Sequence, residues 1–156
     1  MARLALLVLV LPACLGGLTT GAVAPVGGPT GVELRVFGAT GGIDGNPLMP
    51  NAYGVAYRQI GDEHAQTAGQ IGWAGAVRVG PGAVFGRLMF DAINTQRTMD
   101  GDRKYSAFSP TLDLGVVPVK NGLCVSASAT YDVQFNEPDR WIVGVFAGVC
   151  GSDRKR

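Results

Sequence analysis

Apolar residues recur at every second position along most of the chain after residue 31. Segments 32–36, 52–58 and 70–79 alternate in this way, and residues 125–134 separate into a face of Val, Ala and Tyr and a face of Ser, Thr, Asp and Gln. Because successive side chains of a strand point to opposite faces, this period predicts strands with one apolar face. The chain is therefore predicted to be all-β.

Three turn sequences join alternating segments and predict antiparallel hairpins. Pairing about Gly80-Pro81 sets Trp73 opposite Leu88, and pairing about Asn121-Gly122 sets Leu112 opposite Tyr131. The three turns are Gly80-Pro81, Asn121-Gly122 and a turn centred on Glu137.

The hairpin about Glu137 sets Cys124 directly opposite Cys150. The same register keeps the apolar face and the small polar face sorted on both strands, and a slip of one residue would destroy this sorting. A disulfide between Cys124 and Cys150 is predicted.

The N-terminal residues 1–17 have the layout of a secretory leader, with one Arg, an apolar run over 4–11 and small residues after it. Leu11-Pro12-Ala13-Cys14 resembles the lipobox of bacterial lipoproteins, which implies lipidation of Cys14. The alternative is ordinary cleavage near Ala22. If Cys14 is acylated or removed, the two cysteines that remain are the predicted pair, and both alternatives imply export to an oxidising compartment.

Composition fits one folded domain after this leader. Charged residues are 16%, Gly numbers 24 and the formal net charge is +1, a balance that indicates neither disorder nor a nucleic-acid partner. The predicted domain covers 18–150, and a basic tail covers 151–156.

The polar face of the strands is made mostly of Gly, Ala and Ser, which suits a cramped interior better than a surface in water. Two architectures give such alternation: a soluble sandwich or barrel with the apolar face inward, and a membrane barrel with that face toward lipid. The charges on the polar face have mixed signs and predict ion pairs inside a narrow barrel. They are Glu33, Arg35, Arg58, Arg78, Arg87, Asp91, Asp113, Asp132 and Arg140.

Six aromatic residues of the apolar face are predicted to lie near one rim, as in the aromatic girdles of membrane barrels. The same rings would also suit a soluble core. The longer predicted loops, 61–69 and 94–104, lie at this rim, and a third predicted loop covers 38–51. The six aromatic residues are Tyr57, Trp73, Phe90, Phe108, Tyr131 and Trp141.

Over residues 18–150 the pattern resembles the small eight-stranded outer-membrane β-barrels of bacteria. The resemblance implies an antiparallel up-and-down barrel of seven to eight strands in the outer membrane. Seven strands are evident, and strand direction places the eighth before Val32, at about 18–28, where Pro25 is unfavourable within a strand.

Little in the sequence indicates catalysis. The single histidine, His64, is predicted to be a solvated loop residue, and the acidic Gly-containing segments 44–46 and 100–102 are predicted to be turns. No catalytic residue, metal site or cofactor is predicted, and an eight-stranded barrel has no room for a solute pore.

The expected function is that of a structural outer-membrane barrel that contacts membrane lipid and binds an envelope protein through its exposed loops. The alternative is an exported lipoprotein in the periplasm or on the cell surface. Its soluble β-sandwich or β-barrel domain would serve an envelope complex as an accessory subunit or a ligand-binding module.

Overall fold

The computed structural model describes residues 15–40, 48–61, 64–98, 101–105, 108–117, 122–133 and 138–151, with the backbone alone at 48–50, 64, 92–98 and 101–105. No helix within these ranges is long and apolar enough to cross a membrane. The strands in these ranges are β1 (Leu15–Pro25), β2 (Gly31–Thr40), β3 (Leu48–Ile60), β4 (His64–Val79), β5 (Gly82–Thr98), β6 (Gly101–Tyr105), β7 (Pro110–Val117), β8 (Gly122–Asp132) and β9 (Arg140–Gly151).

Eight of these strands close into one antiparallel barrel. The order around the sheet is β4-β3-β2-β1-β9-β8-β7-β5, and pairing of β4 with β5 completes the ring. Strand β6 lies outside the ring and pairs with β5. The predicted all-β, up-and-down barrel is confirmed, with eight strands in the ring.

The eighth strand is β1, in the region where strand direction requires it. It pairs with β2 on one side and with β9 on the other. Pro25 is its last residue, so the missing N–H of the proline falls at the strand end, where it removes little pairing. The strand begins at Leu15, three residues before the predicted start of the domain. The rest of the predicted leader, with Cys14, lies outside the described residues, as does most of the basic tail.

The hairpin registers are predicted correctly in one case out of three. Strands β4 and β5 pair as expected, with Trp73 opposite Leu88, and Gly80 in their turn has a φ of 58°, a left-handed value that glycine tolerates. In β7–β8, however, Leu112 lies opposite Ala129 rather than Tyr131. Both of the other predicted registers are wrong by two residues.

The third hairpin shows why the error is two residues rather than one. Tyr131 lies opposite Trp141, with ring centroids 5.1 Å apart. The next pair joins Asp132 to Arg140, whose Nε donates to Asp132 Oδ2 at 3.2 Å. A shift of two residues leaves every side chain on its own face, so alternation does not distinguish these registers and cross-strand contacts do.

The loops predicted at 61–69 and 94–104 are mostly strand. Strand β4 begins at His64, and its pairing with β5 continues outward to Ala65 opposite Arg97. On the other side of β5, Asn94–Thr98 pairs with β6, whereas Ala83–Phe90 pairs with the barrel strand β7. We call residues 94–98 of β5 and β6 the rim extension. Polar composition suggests loops here, but inter-strand backbone hydrogen bonds are formed whatever the side chains are.

The third predicted loop, 38–51, is also shorter than expected, because β2 continues to Thr40 and β3 begins at Leu48. The segment between them, with the predicted turn 44–46, lies outside the described residues.

Candidate functional site: a charged lumen within an apolar wall

Large apolar side chains are exposed on the outer wall of every strand in the ring. Val145 in the middle of β9 is 62% exposed and Ile71 of β4 is 59% exposed. Because one face of each strand must point outward, the alternating apolar face forms the outside of the barrel. Other exposed members, in chain order, are Leu18, Val32, Leu34, Val55, Tyr57, Trp73, Val77, Val84, Leu88, Leu112, Leu114, Val116, Leu123, Val125, Val143 and Val149.

Charged side chains fill the inside of the barrel. The predicted interior charges Arg35, Arg58, Arg87, Asp91, Asp113 and Asp132 are all buried, as is Glu33. Arg140 is half-buried beside Asp132. Arg78 differs from the prediction, because its side chain is exposed. Alternation with the buried Ala74 and Ala76 would place it inside the barrel, but Arg78 lies next to the turn at the end of β4.

Five of these charges form one ionic network across the lumen. Glu33 binds Arg58, whose Nε donates to Glu33 Oε2 at 2.5 Å, and it also accepts from Arg35 Nε. On the other side, Arg87 donates to Asp113. Arg35 Nη1 lies 3.5 Å from Asp113 Oδ2 and joins the two halves. Because β2 and β7 face each other across the ring, this contact ties opposite walls together.

Strand pairing explains how the network assembles. Glu33 lies directly opposite Arg58 in the β2–β3 register, and Arg87 lies opposite Asp113 in the β5–β7 register. Opposite charges in cross-strand positions attract each other, and burial strengthens the attraction. A buried charge without a partner would be costly, so the network is expected to be essential to the fold.

Three phenylalanine rings pack against the guanidinium groups. The Cζ atom of Arg35 lies 3.7 Å from the ring centroid of Phe146, and that of Arg87 lies 3.6 Å from that of Phe37. The ring of Phe37 also faces Phe85 at 6.3 Å. These cation–π contacts are a part of the lumen that the sequence analysis missed. The sequence does contain a signal for these contacts, because alternation along each strand places its phenylalanine on the small polar face.

Two further hydrogen-bonded pairs of polar side chains line the lumen beside the network. Gln70 Nε2 donates to Asp91 Oδ1 at 3.0 Å, and the hydroxyls of Thr111 and Thr130 lie 2.8 Å apart. Apolar side chains lie toward both ends of the barrel. Leu15 and Val117 belong to a cluster at the end with the Gly80 turn, and Val23, Ile60 and Ile142 cluster at the opposite end. Side chains therefore occupy the lumen along its length.

The predicted disulfide is present, although its geometry differs from the prediction. Cys124 lies opposite Gly148 and Cys150 lies opposite Gly122, so the bond is diagonal, with the Cα atoms 5.7 Å apart. Both cysteines are buried. A Cβ added at Gly17 would come within 2.7 Å of Cys150 Sγ, so Gly17 leaves the space that the sulfur atoms need.

The six predicted girdle residues all lie on the outer wall, where they form two clusters and one separate ring. Trp73 meets Phe90 edge to face at 5.8 Å, and Phe90 stacks on Phe108 at 4.6 Å. Tyr131 packs on Trp141, and its hydroxyl donates to Asp139 Oδ2 at 3.1 Å. Tyr57 is exposed on β3.

For His64 and residues 101–102 the structure describes the backbone alone. The backbone of His64 begins β4 rather than forming a loop, and the turn predicted at 100–102 falls on the start of β6. Among the residues that the structure describes, no group of three or more His, Cys, Asp or Glu side chains is placed to hold a metal ion.

No protein-family model matches the chain, and no curated protein matches it. Its function is therefore inferred from the chemistry of the barrel itself.

Two serines on the lumen face of β8 provide a matched test of the network. Ser128 accepts a hydrogen bond from Arg35 Nη2 at 2.9 Å, whereas the buried hydroxyl of Ser126 has no partner among the described residues. Ser128→Ala is expected to lower the free energy of unfolding by about 1.5–3 kcal/mol, because it removes a hydrogen bond to a charged group. Ser126→Ala is expected to be neutral or stabilising by up to about 1 kcal/mol, since no hydrogen bond is lost.

The measurement is the urea midpoint of both variants, folded in detergent micelles. Equal destabilisation by the two substitutions would contradict the assigned role of Ser128.

Proposed function

We propose that this chain is a small outer-membrane β-barrel with a structural, non-catalytic role that binds an envelope partner at one rim. The observation that carries the proposal is its inverted polarity. Large apolar side chains are exposed on all eight barrel strands, while Glu33, Arg58 and Asp113 are buried inside.

Exposed apolar side chains on this scale support a lipid environment. Single exposed apolar residues are normal in soluble proteins, but a continuous apolar surface marks contact with a protein or a membrane. A closed ring also leaves no unpaired edge among its eight strands, which is what a bilayer requires of β-structure. The exposed aromatic side chains suit the membrane interface.

The contents of the lumen favour a structural role over transport. The network joins β2 to β7 across the barrel, and the apolar clusters lie on both sides of it. Each carboxylate of the network is engaged by at least one arginine, an arrangement typical of a stabilising core. A barrel of eight strands has an interior just wide enough for side chains.

The position of β1 bears on how the chain is processed. Cleavage before Cys14 would leave β1 complete, whereas cleavage near Ala22 would remove most of a strand that pairs with both β2 and β9. The complete ring therefore supports the lipobox interpretation, with an acylated Cys14 directly before the barrel.

Photolabelling from within the membrane tests the proposal. The full chain is expressed in a bacterial envelope that contains phospholipids with a photoreactive group in the acyl chain, and the cross-linked peptides are mapped. Outward residues such as Val55, Val145 and Leu18 are expected to be labelled, while the inward Phe85 and Met89 serve as internal controls. A lipid-anchored soluble domain would leave the strands unlabelled, and that result would overturn the proposal.

The rim extension is the element proposed to bind the partner. It continues β5 past the last residue that pairs with β7 and adds β6, and its residues are mostly polar, which suits contact with a protein better than contact with lipid. A variant that lacks residues 95–104 is expected to lose chemical cross-links to envelope proteins while keeping the gel mobility of the unheated, folded barrel. Unchanged cross-links in that variant would place the partner site elsewhere on the chain.

A further inference from the structure

The outer wall contains a cleft with a volume of about 500 Å³. We call it the wall groove. Its lining includes Asn51 and Tyr53 of β3, Ile71 and Trp73 of β4, Phe90 of β5, and Phe108. It therefore crosses three neighbouring strands on the face that carries the exposed apolar side chains.

One side of the groove is an aromatic wall. The ring of Phe90 packs against those of Trp73 and Phe108, with ring centroids 5.8 and 4.6 Å away, respectively. Trp73 and Phe108 remain largely exposed, at 53% and 69%. The rings support one another yet leave their outer surfaces free, so they offer a preformed apolar surface to an elongated ligand.

The position of Tyr53 keeps the groove open. A Cβ added at Gly38 would lie 2.8 Å from the ring of Tyr53, so this ring lies over Gly38 of β2 rather than over β4. Such covering of a strand glycine by an aromatic ring stabilises the pair. The floor of the groove is left to the small residues Ala52 and Gly72, which lie opposite each other.

The shape and polarity of the groove indicate its ligand. Its members Tyr53, Ile71 and Phe90 are successive partners across three strands, a row of roughly 10 Å at about 4.8 Å per strand. At the opposite end lies Asn51, which pairs with Thr40, the last residue of β2. The groove is thus apolar across its strands and has an amide near the barrel end that carries the Gly80 turn.

We propose that the wall groove binds one unbranched acyl chain of a glycerophospholipid, with the Asn51 amide hydrogen-bonded to the ester or glycerol oxygens. The proposal rests on the proposed function, because only a barrel whose outer wall meets lipid presents this groove to a membrane. None of the residues that line the groove is charged, so the chain rather than an ionic headgroup contributes most of the affinity.

The two tryptophans provide the test. Trp73 lies in the groove, and Trp141, equally exposed at 53%, lies outside its lining. Trp141→Phe and Trp73→Phe leave one reporter each in the full-length chain. Both variants are placed in bilayers of methyl-branched phosphatidylcholine that contain a minor fraction of straight-chain phosphatidylcholine with brominated chains. Fluorescence quenching is normalised to that in fully brominated bilayers, which removes any effect of depth.

Trp73 is expected to be quenched about 3–10 times more strongly than Trp141 at low brominated fraction, the preference that one or two aromatic contacts provide. Adding Phe108→Ala, a change outside the strands, is expected to reduce Trp73 quenching to the level of Trp141. Equal normalised quenching of the two reporters, or a preference that survives Phe108→Ala, would contradict acyl-chain binding in the wall groove. Either result would still be consistent with the proposed membrane barrel. Absence of quenching at both reporters, even in fully brominated bilayers, would overturn both proposals.

Discussion

Replacing Glu33 with Gln is expected to lower the free energy of unfolding by about 3–5 kcal/mol, the cost of removing one partner from a buried ionic group. Glu33 is 1% exposed and binds both Arg35 and Arg58, which are also buried. Glutamine keeps the shape of the side chain but removes the negative charge between two guanidinium groups. We expect the variant to unfold at a much lower urea concentration in detergent micelles, and to show less of the folded species on unheated gels.

The double variant Glu33→Gln/Arg58→Gln provides the control. Because it also removes one of the cations left unpaired, it is expected to be more stable than the sum of the two single substitutions predicts, with a coupling energy of about 1–3 kcal/mol. A loss below about 1 kcal/mol in Glu33→Gln, or strict additivity in the cycle, would show that the network does not hold the walls together.

Replacing Val145 with Arg is expected to destabilise the barrel by about 2–4 kcal/mol in phospholipid vesicles, the cost of a cation at the middle of the surface that we propose faces lipid. Val145 is the sixth residue of the twelve in β9, and its side chain is 62% exposed. In a bilayer this exposed side chain meets hydrocarbon, whereas in a soluble protein it meets water. The measurement is the urea midpoint of unfolding from vesicles.

The matched control is Val26→Arg, which makes the same change in the turn after β1, where Val26 is 72% exposed. We expect it to alter stability by no more than about 0.5 kcal/mol. If Val145→Arg is as mild as this control, the outer wall does not face hydrocarbon, and the soluble lipoprotein becomes the better interpretation.

The combination of a charged lumen and an apolar wall accounts for most of the chain's unusual composition. The frequent Gly, Ala and Ser residues leave the narrow interior room for arginine and phenylalanine side chains, as Gly115 does beside Phe85, where an added Cβ would lie 2.5 Å from the ring. The disulfide also needs this space, because a Cβ added at Gly17 would lie 2.7 Å from Cys150 Sγ.

Sequence alternation by itself determined most of the strands and the face to which most of their residues belong. It assigned Arg35, Arg58 and Asp113 to one face and Val145 and Trp73 to the other; in the structure the first three are buried and the other two are exposed. The reason is local: the pleat of a strand repeats every two residues, so composition along a short segment is sufficient. The β4–β5 register also followed from the sequence, because its Gly80-Pro81 turn is short.

Only the tertiary structure decided the registers of the last two hairpins, the rim extension and the partners of the charges. A register shift of two residues preserves both faces, so the choice depends on contacts such as Tyr131 with Trp141. The link from Arg35 to Asp113 joins strands that are far apart in sequence and meet only when the ring closes. Alternation is equally consistent with an apolar inside or an apolar outside, and closure around Glu33 and its arginines placed the apolar face outside.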